Sequence, residues 1–212
     1  MQETSVCLVT GSATGIGAAC ACEFARHGWQ VALSYLDDAT LAEAQAVAAA
    51  CEAAGAQTLL LPLDVRDDAA CQRFAQAALQ RWGRIDALVN CAGTTRFIPH
   101  TDLAALDAAE FQRTYDVNVI GAYQMVRACS EALRVCGQGS IVNITSIGGV
   151  LGRGSSMAYA ASKGALNTLT LALARSLAPN VRVNAIAPGF VEGGLPARML
   201  GAAEHAPRTY AM

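Results

Sequence analysis

The chain has 212 residues, 53% of them hydrophobic, with a formal net charge of −2 and a pI near 5.9. That length fits one large α/β domain around a single core. The balanced charge excludes the basic footprint that nucleic acid or an anionic membrane surface requires, and no apolar run approaches the ~18 residues of a membrane span. The opening M-Q-E-T-S-V-C-L-V-T has neither a basic n-region nor a long apolar h-region, so a cytoplasmic protein without a signal peptide is expected.

In chain order, short β-branched runs alternate with longer Ala-rich helical patterns. Strands are predicted at Ser5 to Thr10, Gln30 to Tyr35, Thr58 to Leu63, Ile85 to Asn90, Ser140 to Thr145 and Val181 to Ile186. Helices are predicted at Ile16 to His27, Ala39 to Ala54, Ala69 to Trp82, Ala108 to Val135 and Met157 to Leu177. The strands are nearly continuous apolar runs, as expected when helices cover both sheet faces. Repeated βα alternation implies a parallel, doubly wound (Rossmann-like) sheet in one domain over 1–212. Ligands on such sheets bind beyond the carboxyl ends of the strands, so each strand end is read for chemistry.

Eight cysteines form no C-x-x-C pair and sit among Ala and Val, where Cys acts as a small buried hydrophobe. His27, His100 and His205 lack ligand spacing, so no metal site is expected.

The first strand runs into T-G-S-A-T-G-I-G, with Gly11, Gly15 and Gly17 before a helix. Glycines let the backbone approach a pyrophosphate at the positive helix N-terminus. No G-x-x-x-x-G-K-[ST] occurs, which disfavours a nucleoside triphosphatase. The third strand ends in Leu63-Asp64-Val65, where Asp64 either accepts from an adenine amino group or caps the next helix. The fourth ends in N-C-A-G, Asn90 to Gly93, and the fifth places Thr145 or Ser146 at the rim. Asn118 lies on an otherwise apolar helical stretch, and Tyr159 and Lys163 stand at i and i+4 in Y-A-A-S-K. An ammonium ~4 Å from a phenol, at an effective dielectric of ~20, favours the phenolate by about 4 kcal/mol. That would bring the tyrosine toward proton exchange near neutral pH.

Taken jointly and in order, T-G-x-x-x-G-I-G, N-x-A-G, Asn118, Ser146, Y-x-x-x-K and N-A-I-A-P-G (Asn184 to Gly189) make the sequence resemble the short-chain dehydrogenase/reductases over essentially its whole length. The resemblance implies NAD or NADP and hydride transfer between nicotinamide and a carbonyl or secondary alcohol. It carries catalytic roles to Asn118, Ser146, Tyr159 and Lys163, with Ser146 polarising the carbonyl, Tyr159 exchanging the proton, Lys163 also holding the ribose, and Asn118 supporting a water relay. It assigns cofactor binding to Gly11, Thr14, Gly15, Ile16 and Gly17, to Asp64 and Val65, to Asn90, Ala92 and Gly93, to Tyr159 and Lys163, and to Pro188 and Gly189. Cys91 stands where the family often has a second Asn.

NAD and NADP are not separated by the sequence. The second strand ends in S-Y-L-D-D with no basic residue, and Asp37 and Asp38 either face a 2′-phosphate or start the next helix. Substrate loops are expected at Thr94 to Thr101, Gly148 to Ser156 and Pro188 to Leu200, with Arg96, Phe97, Ile98, Val150, Leu151, Arg153 and Met157 as a mixed lining. The general look resembles 3-oxoacyl-[acyl-carrier-protein] reductases, for which Arg134, Arg153 and Arg198 would supply a basic rim. Relatives continue past the point where this sequence stops. A missing last strand, an exposed sixth-strand edge and a doubtful tetramer are therefore expected, with a homodimer through the helix Met157 to Leu177. A cofactor-binding regulator or scaffold without turnover is the alternative from another class.

Overall fold

A computed structural model of the chain describes residues 4–191. Six parallel strands, β1 (Val6–Val9), β2 (Gln30–Tyr35), β3 (Thr58–Pro62), β4 (Ala87–Asn90), β5 (Gly139–Ile144) and β6 (Val181–Ile186), form one sheet in the order β3-β2-β1-β4-β5-β6. This is the dinucleotide-binding order, whose direction reverses between β1 and β4 and opens a crevice there. Among the described residues β6 is a sheet edge.

Helices α1 (Gly15–Arg26), α2 (Asp38–Ala53), α3 (Asp68–Trp82), α4 (Ala108–Tyr115), α5 (Ala122–Val135), α6 (Gly148–Leu151) and α7 (Met157–Leu177) make the crossovers. Alternation along β1 divides the core. Val6 and Leu8 face α3, α5 and α7 with Phe74, Met125, Leu133 and Leu173, while Cys7 and Val9 face α1 and α2 with Ala21, Ala25, Ala48 and Cys51. Small side chains on α1 and α2 let those helices approach the sheet closely. Larger ones fill the other face, each contributing roughly 1.5–3 kcal/mol on full burial. Cys7, Cys51, Cys71 and Cys129 are core residues, as a small apolar side chain would be. No helix among the described residues is long and apolar enough to cross a membrane.

Helix starts are set by short polar caps. Asp67 accepts from the Ala70 N–H at the head of α3, and Ser156 accepts from the Tyr159 N–H at the head of α7. The predicted continuous helix from Ala108 to Val135 is interrupted by a π-helical turn, Asp116–Gly121. Gly121 packs there against Val65, and an added Cβ would fall 2.5 Å from Val65 Cγ2. The segment expected as a loop after Ser146 begins instead with α6. Gly149 lets α6 touch the α7 backbone, since a Cβ would lie 2.5 Å from the Lys163 carbonyl carbon. Arg198 and the part of the third substrate loop beyond Val191 lie outside the described residues.

Candidate active site

The carboxyl ends of β1, β4 and β2 are lashed together by hydroxyl groups. Thr10 Oγ1 accepts from the N–H groups of Cys91 and Ala92, both at 3.0 Å. Ser34 Oγ accepts from Gly11 N–H at 3.0 Å, and Ser12 Oγ accepts from Ser34 N–H at 2.8 Å. The glycine loop is thus fixed against two strands. Gly11 and Gly15 take φ of +63° and +57°, where a side chain would be strained. A Cβ on Gly11 would lie 2.8 Å from Ala92 Cα, and one on Gly17 only 2.3 Å from the Gly11 carbonyl oxygen. Thr14, the N-cap of α1, makes no side-chain cap, and the first turn holds no acidic residue. That helix end presents uncapped amides and an unopposed positive dipole to an anion.

A cleft of about 530 Å³ crosses these strand ends. At one end it is lined by Tyr35, Leu36 and Thr40, then by Gly11, Thr14, Gly15 and Ile16. Its floor carries Asp64, Val65, Ala92 and Gly93; its far end carries Ser146, Tyr159, Lys163, Pro188 and Gly189. A glycine cradle at a helix N-terminus opening into an elongated, largely apolar cleft fits a dinucleotide.

Three of the residues expected to bind the cofactor or catalyse are elsewhere. Gly17 packs under the loop against Gly11. Asn90 turns into the core, donating to the Ala122 carbonyl at 3.2 Å and to Asn143 Oδ1 at 2.9 Å, so its amide braces β4 against β5 and α5. Asn118 is 1% exposed and sits behind the cleft wall. Its Oδ1 accepts from Thr94 N–H at 2.8 Å, and its Nδ2 donates to the Thr94 carbonyl and to Ser162 Oγ, each at 3.0 Å. Both amide hydrogens of Asn118 are therefore committed to holding loop and helix together, which leaves none for a side-chain water relay. Asp64 is not a helix cap: the cap is Asp67. Arg66 grips the Asp64 carboxylate through Nε and Nη2 and holds its pKa below the usual value. Asp37 and Asp38 start α2, with Asp37 N–H donating to Thr40 Oγ1 and both acids exposed.

At the far end, Ser146 Oγ accepts from Gly148 N–H at 3.0 Å, in the tight turn that leads into α6. Ile147 N–H reaches the Pro188 carbonyl at 3.0 Å, which ties the β5 and β6 ends. Lys163 is 4% exposed, its Nζ donating to the Ile144 carbonyl at 2.8 Å and standing 5.8 Å from the Tyr159 ring centroid. Burial lowers the Lys163 pKa to about 8. The expected depression of the Tyr159 phenol is not found. Burial pushes it up, the Ser146 hydroxyl beside it draws it partly back, and the Cys91 thiol adds to the rise. The Lys163 ammonium is directed at the Ile144 carbonyl, and desolvation of the phenolate is the largest influence on the phenol. Burial likewise raises Cys91 to about 11.

Sequence reading missed Arg113 and Arg66, which line the cleft together with Thr94, the first residue of the expected substrate loop. Glu110 and Arg113 at i and i+3 read as an ordinary exposed helix pair, and nothing local signals that the guanidinium leaves its helix. Of the segment from Gly148 to Ser156, none lines this cleft.

A family model for the short chain dehydrogenases matches residues 5–200. The chain is 40% identical over 190 residues, 90% of this chain and 74% of the relative, to a Streptomyces violaceoruber protein assigned as ketoacyl reductase 2 of the granaticin polyketide synthase. A crystal structure from Burkholderia xenovorans, assigned to the short-chain dehydrogenase/reductases, superposes with a TM-score of 0.90 at 54% identity, covering 92% of this chain and 80% of that one. NAD+-bound xylitol dehydrogenase superposes with a TM-score of 0.83 at 31% identity, covering 95% of this chain and 80% of that one. With the fold, the cleft and these likenesses in agreement, the chain belongs to the short-chain dehydrogenase family and is an NAD(P)-dependent oxidoreductase.

Proposed function

We propose that Ser146, Tyr159 and Lys163 are the catalytic groups, and that the substrate carbonyl sits between the Ser146 and Tyr159 hydroxyls. The observation that carries this is their convergence at one end of the cleft, with the serine hydroxyl beside the phenol and the lysine buried behind it. When bound, NAD(P) would supply or accept the hydride. Because Gly148 N–H already occupies a lone pair of Ser146 Oγ, that hydroxyl keeps its own hydrogen for the carbonyl oxygen. A phenol raised by burial is protonated at neutral pH, the form needed to deliver a proton to that oxygen as it becomes an alcohol. Lys163 spends one N–H on Ile144 and keeps two for ribose hydroxyls and the phenol side. Gly11, Thr14, Gly15 and Ile16 would hold the pyrophosphate, Asp64 and Val65 the adenine side, and Ala92, Gly93, Pro188 and Gly189 the nicotinamide side. Asn118 acts by position, bridging Thr94 and Ser162.

For substrate we propose a 3-oxoacyl thioester. The likeness to a ketoacyl reductase supports this, as do the exposed Arg96 and Arg153, which would suit an acidic carrier. Arg134, in the last turn of α5 just before β5 begins, lies instead at the amino edge of the sheet, away from the cleft. The test is to mix the protein with NADH or NADPH and a ketone panel containing acetoacetyl-CoA and to follow absorbance of the reduced nucleotide. Oxidation with acetoacetyl-CoA, lost in Tyr159→Phe, is expected. Turnover only of sugars or cyclic ketones would remove the thioester reading, and nucleotide binding without turnover across the panel would favour a regulator. A homodimer is proposed as well, on the exposed Phe111, Tyr123 and Leu171 of α4, α5 and α7. A monomer by light scattering at micromolar concentration would contradict it.

A further inference from the structure

We propose that Arg113 is a positioning residue of this site: anchored by Glu110, its guanidinium holds Thr94 and thereby fixes the Gly93–Thr94 turn that Asn118 clamps beside Lys163. The inference rests on the catalytic reading above.

The Glu110 carboxylate is unusual for a helix surface. It is 7% exposed, and Arg113 engages it twice, Nε to Oε2 at 3.0 Å and Nη2 to Oε1 at 2.6 Å. Thr114 Oγ1 adds a third bond at 3.2 Å, and the Glu110 backbone N–H is held by Asp107 at 2.8 Å. An exposed i,i+3 pair does little for a protein. This one is different, because a two-point grip on a buried carboxylate sets the plane of the guanidinium. The remaining arm leaves the helix: Nη1 donates to Thr94 Oγ1 at 2.7 Å, across to the loop after β4. Asn118 grips the backbone of the same residue on both sides. Next to it, a Cβ on Gly93 would stand 3.6 Å from Lys163 Nζ and 3.5 Å from Asn118 Oδ1. The wall against the amine is therefore set by Thr94, which is held from its side chain by Arg113 and from its backbone by Asn118. Arrangement of a reacting site to within a fraction of an ångström is worth large rate factors.

The variants are Thr94→Val, which removes only the acceptor oxygen, Thr94→Ser, which keeps it, and Arg113→Lys, which keeps charge but not the fork. Each is made in the full chain and measured for kcat and KM with the best substrate of the panel, nucleotide Kd and Tm, with Tyr159→Phe alongside. Thr94→Val and Arg113→Lys are each expected to lower kcat about 10-fold, with Kd for NADH or NADPH within about 2-fold. The double variant should be no worse than the poorer single, as for two parts of one linkage. Thr94→Ser should recover most of the rate lost in Thr94→Val. Parent-like kcat in Thr94→Val while Tyr159→Phe is inactive overturns the linkage and leaves the catalytic reading standing. Turnover by Tyr159→Phe sinks the catalytic reading itself. Weakened nucleotide binding at unchanged kcat, or additive losses, also overturns the linkage. Should Thr94→Val fail to fold, Arg113→Lys decides by the same criteria.

Discussion

The Lys163 ammonium donates to the Ile144 carbonyl at 2.8 Å from a position almost sealed from solvent. A carbonyl holds a cation without neutralising it, so desolvation prevails and the amine titrates at about 8. A group that must be charged to act would then be lost just above physiological pH. The expected outcome is a kcat/KM for carbonyl reduction that is flat near pH 7 and declines above about pH 8, read from initial rates over a pH series. Lys163→Arg, which stays charged, should be slower but should move that decline upward. A profile with the parent's decline in Lys163→Arg would assign the titration to another group.

The same shift has a stability consequence of definite sign. Unfolded lysine titrates near 10.5 and the folded one at about 8, so between these values the unfolded chain binds more protons. Stability contributed by this group therefore rises with pH across that window, by an amount on the order of 3 kcal/mol. Below about pH 8 the burial penalty is present in full. Urea unfolding of the parent and of Lys163→Met at pH 7.5 and 9.5, with pH chosen to bracket the titration, should show the parent gaining relative to the variant at the higher pH. Parallel pH dependence in both proteins would contradict a depressed lysine.

Tyr159 and Ser146 separate by the kind of loss their removal causes. Tyr159→Phe removes the proposed proton donor and should lower kcat by roughly 10²–10⁴ while nucleotide Kd is nearly unchanged. Ser146→Ala removes the proposed hydrogen bond to the carbonyl oxygen and should cost roughly 10²–10³ in kcat, with its Gly148 N–H partner left to water. Since burial and not Lys163 governs the phenol, Tyr159 should remain protonated in the free protein through pH 9, which ultraviolet difference titration can follow. Phenolate absorbance appearing near pH 7 in the absence of nucleotide would show that the ammonium dominates after all.

Asn90 marks the boundary of what the sequence could reveal. The six strands were legible because a strand buried on both faces must be apolar throughout, and their carboxyl ends locate the cleft by topology alone. Gly11, Gly15, Ser146, Tyr159 and Lys163 were legible because each sits at such an end or one helical turn from its partner. Direction of a side chain was not. Asn90 ends β4, but the strand's alternation sends its amide inward while Cys91 lines the cleft. The π-helical turn around Asn118 was invisible, since 3.6-residue periodicity continues on both sides of it. Arg113 was missed because its useful contact is to Thr94, 19 residues away in sequence. The phenol pKa was misjudged for a similar reason: spacing fixes the proximity of Lys163, whereas burial depends on everything packed around it.

The correction at Asn90 is itself testable. Its Nδ2 is the donor to Asn143 Oδ1, and Asn143 in turn donates to Thr170 Oγ1 at 2.9 Å, which donates to the Leu166 carbonyl at 2.7 Å. Asn90→Ala strips the first donor from this buried chain and should cost about 1–3 kcal/mol in unfolding free energy. Nucleotide affinity should stay within a factor of about 2, because the Thr10 bonds to Cys91 and Ala92 hold the end of β4 independently. Calorimetry and nucleotide titration on one preparation separate the two effects. A stable Asn90→Ala that binds nucleotide poorly would return Asn90 to the cofactor site.

Gly17 gives the reverse case, a residue outside the cleft whose change should be felt inside it. Its missing Cβ would land 2.3 Å from the Gly11 carbonyl oxygen and 3.1 Å from Ser12 Cα, both backbone and unable to rotate away. In Gly17→Ala either the loop lifts off α1 or the helix slides from the loop, and strain of this kind costs about 1–3 kcal/mol. Either movement breaks the alignment of the α1 amides with the proposed pyrophosphate position. The Gly11 N–H to Ser34 Oγ bond anchors the other side of the loop, so the displacement falls on the helix end and not on β2. Gly17→Ala should therefore weaken NADH and NADPH alike by about 10-fold or more, with a lowered Tm. A loss confined to one nucleotide would instead place the fault at the Leu36 end of the cleft, where the 2′-substituent would lie. Unchanged Kd for both would mean that the glycine is a packing residue and nothing more.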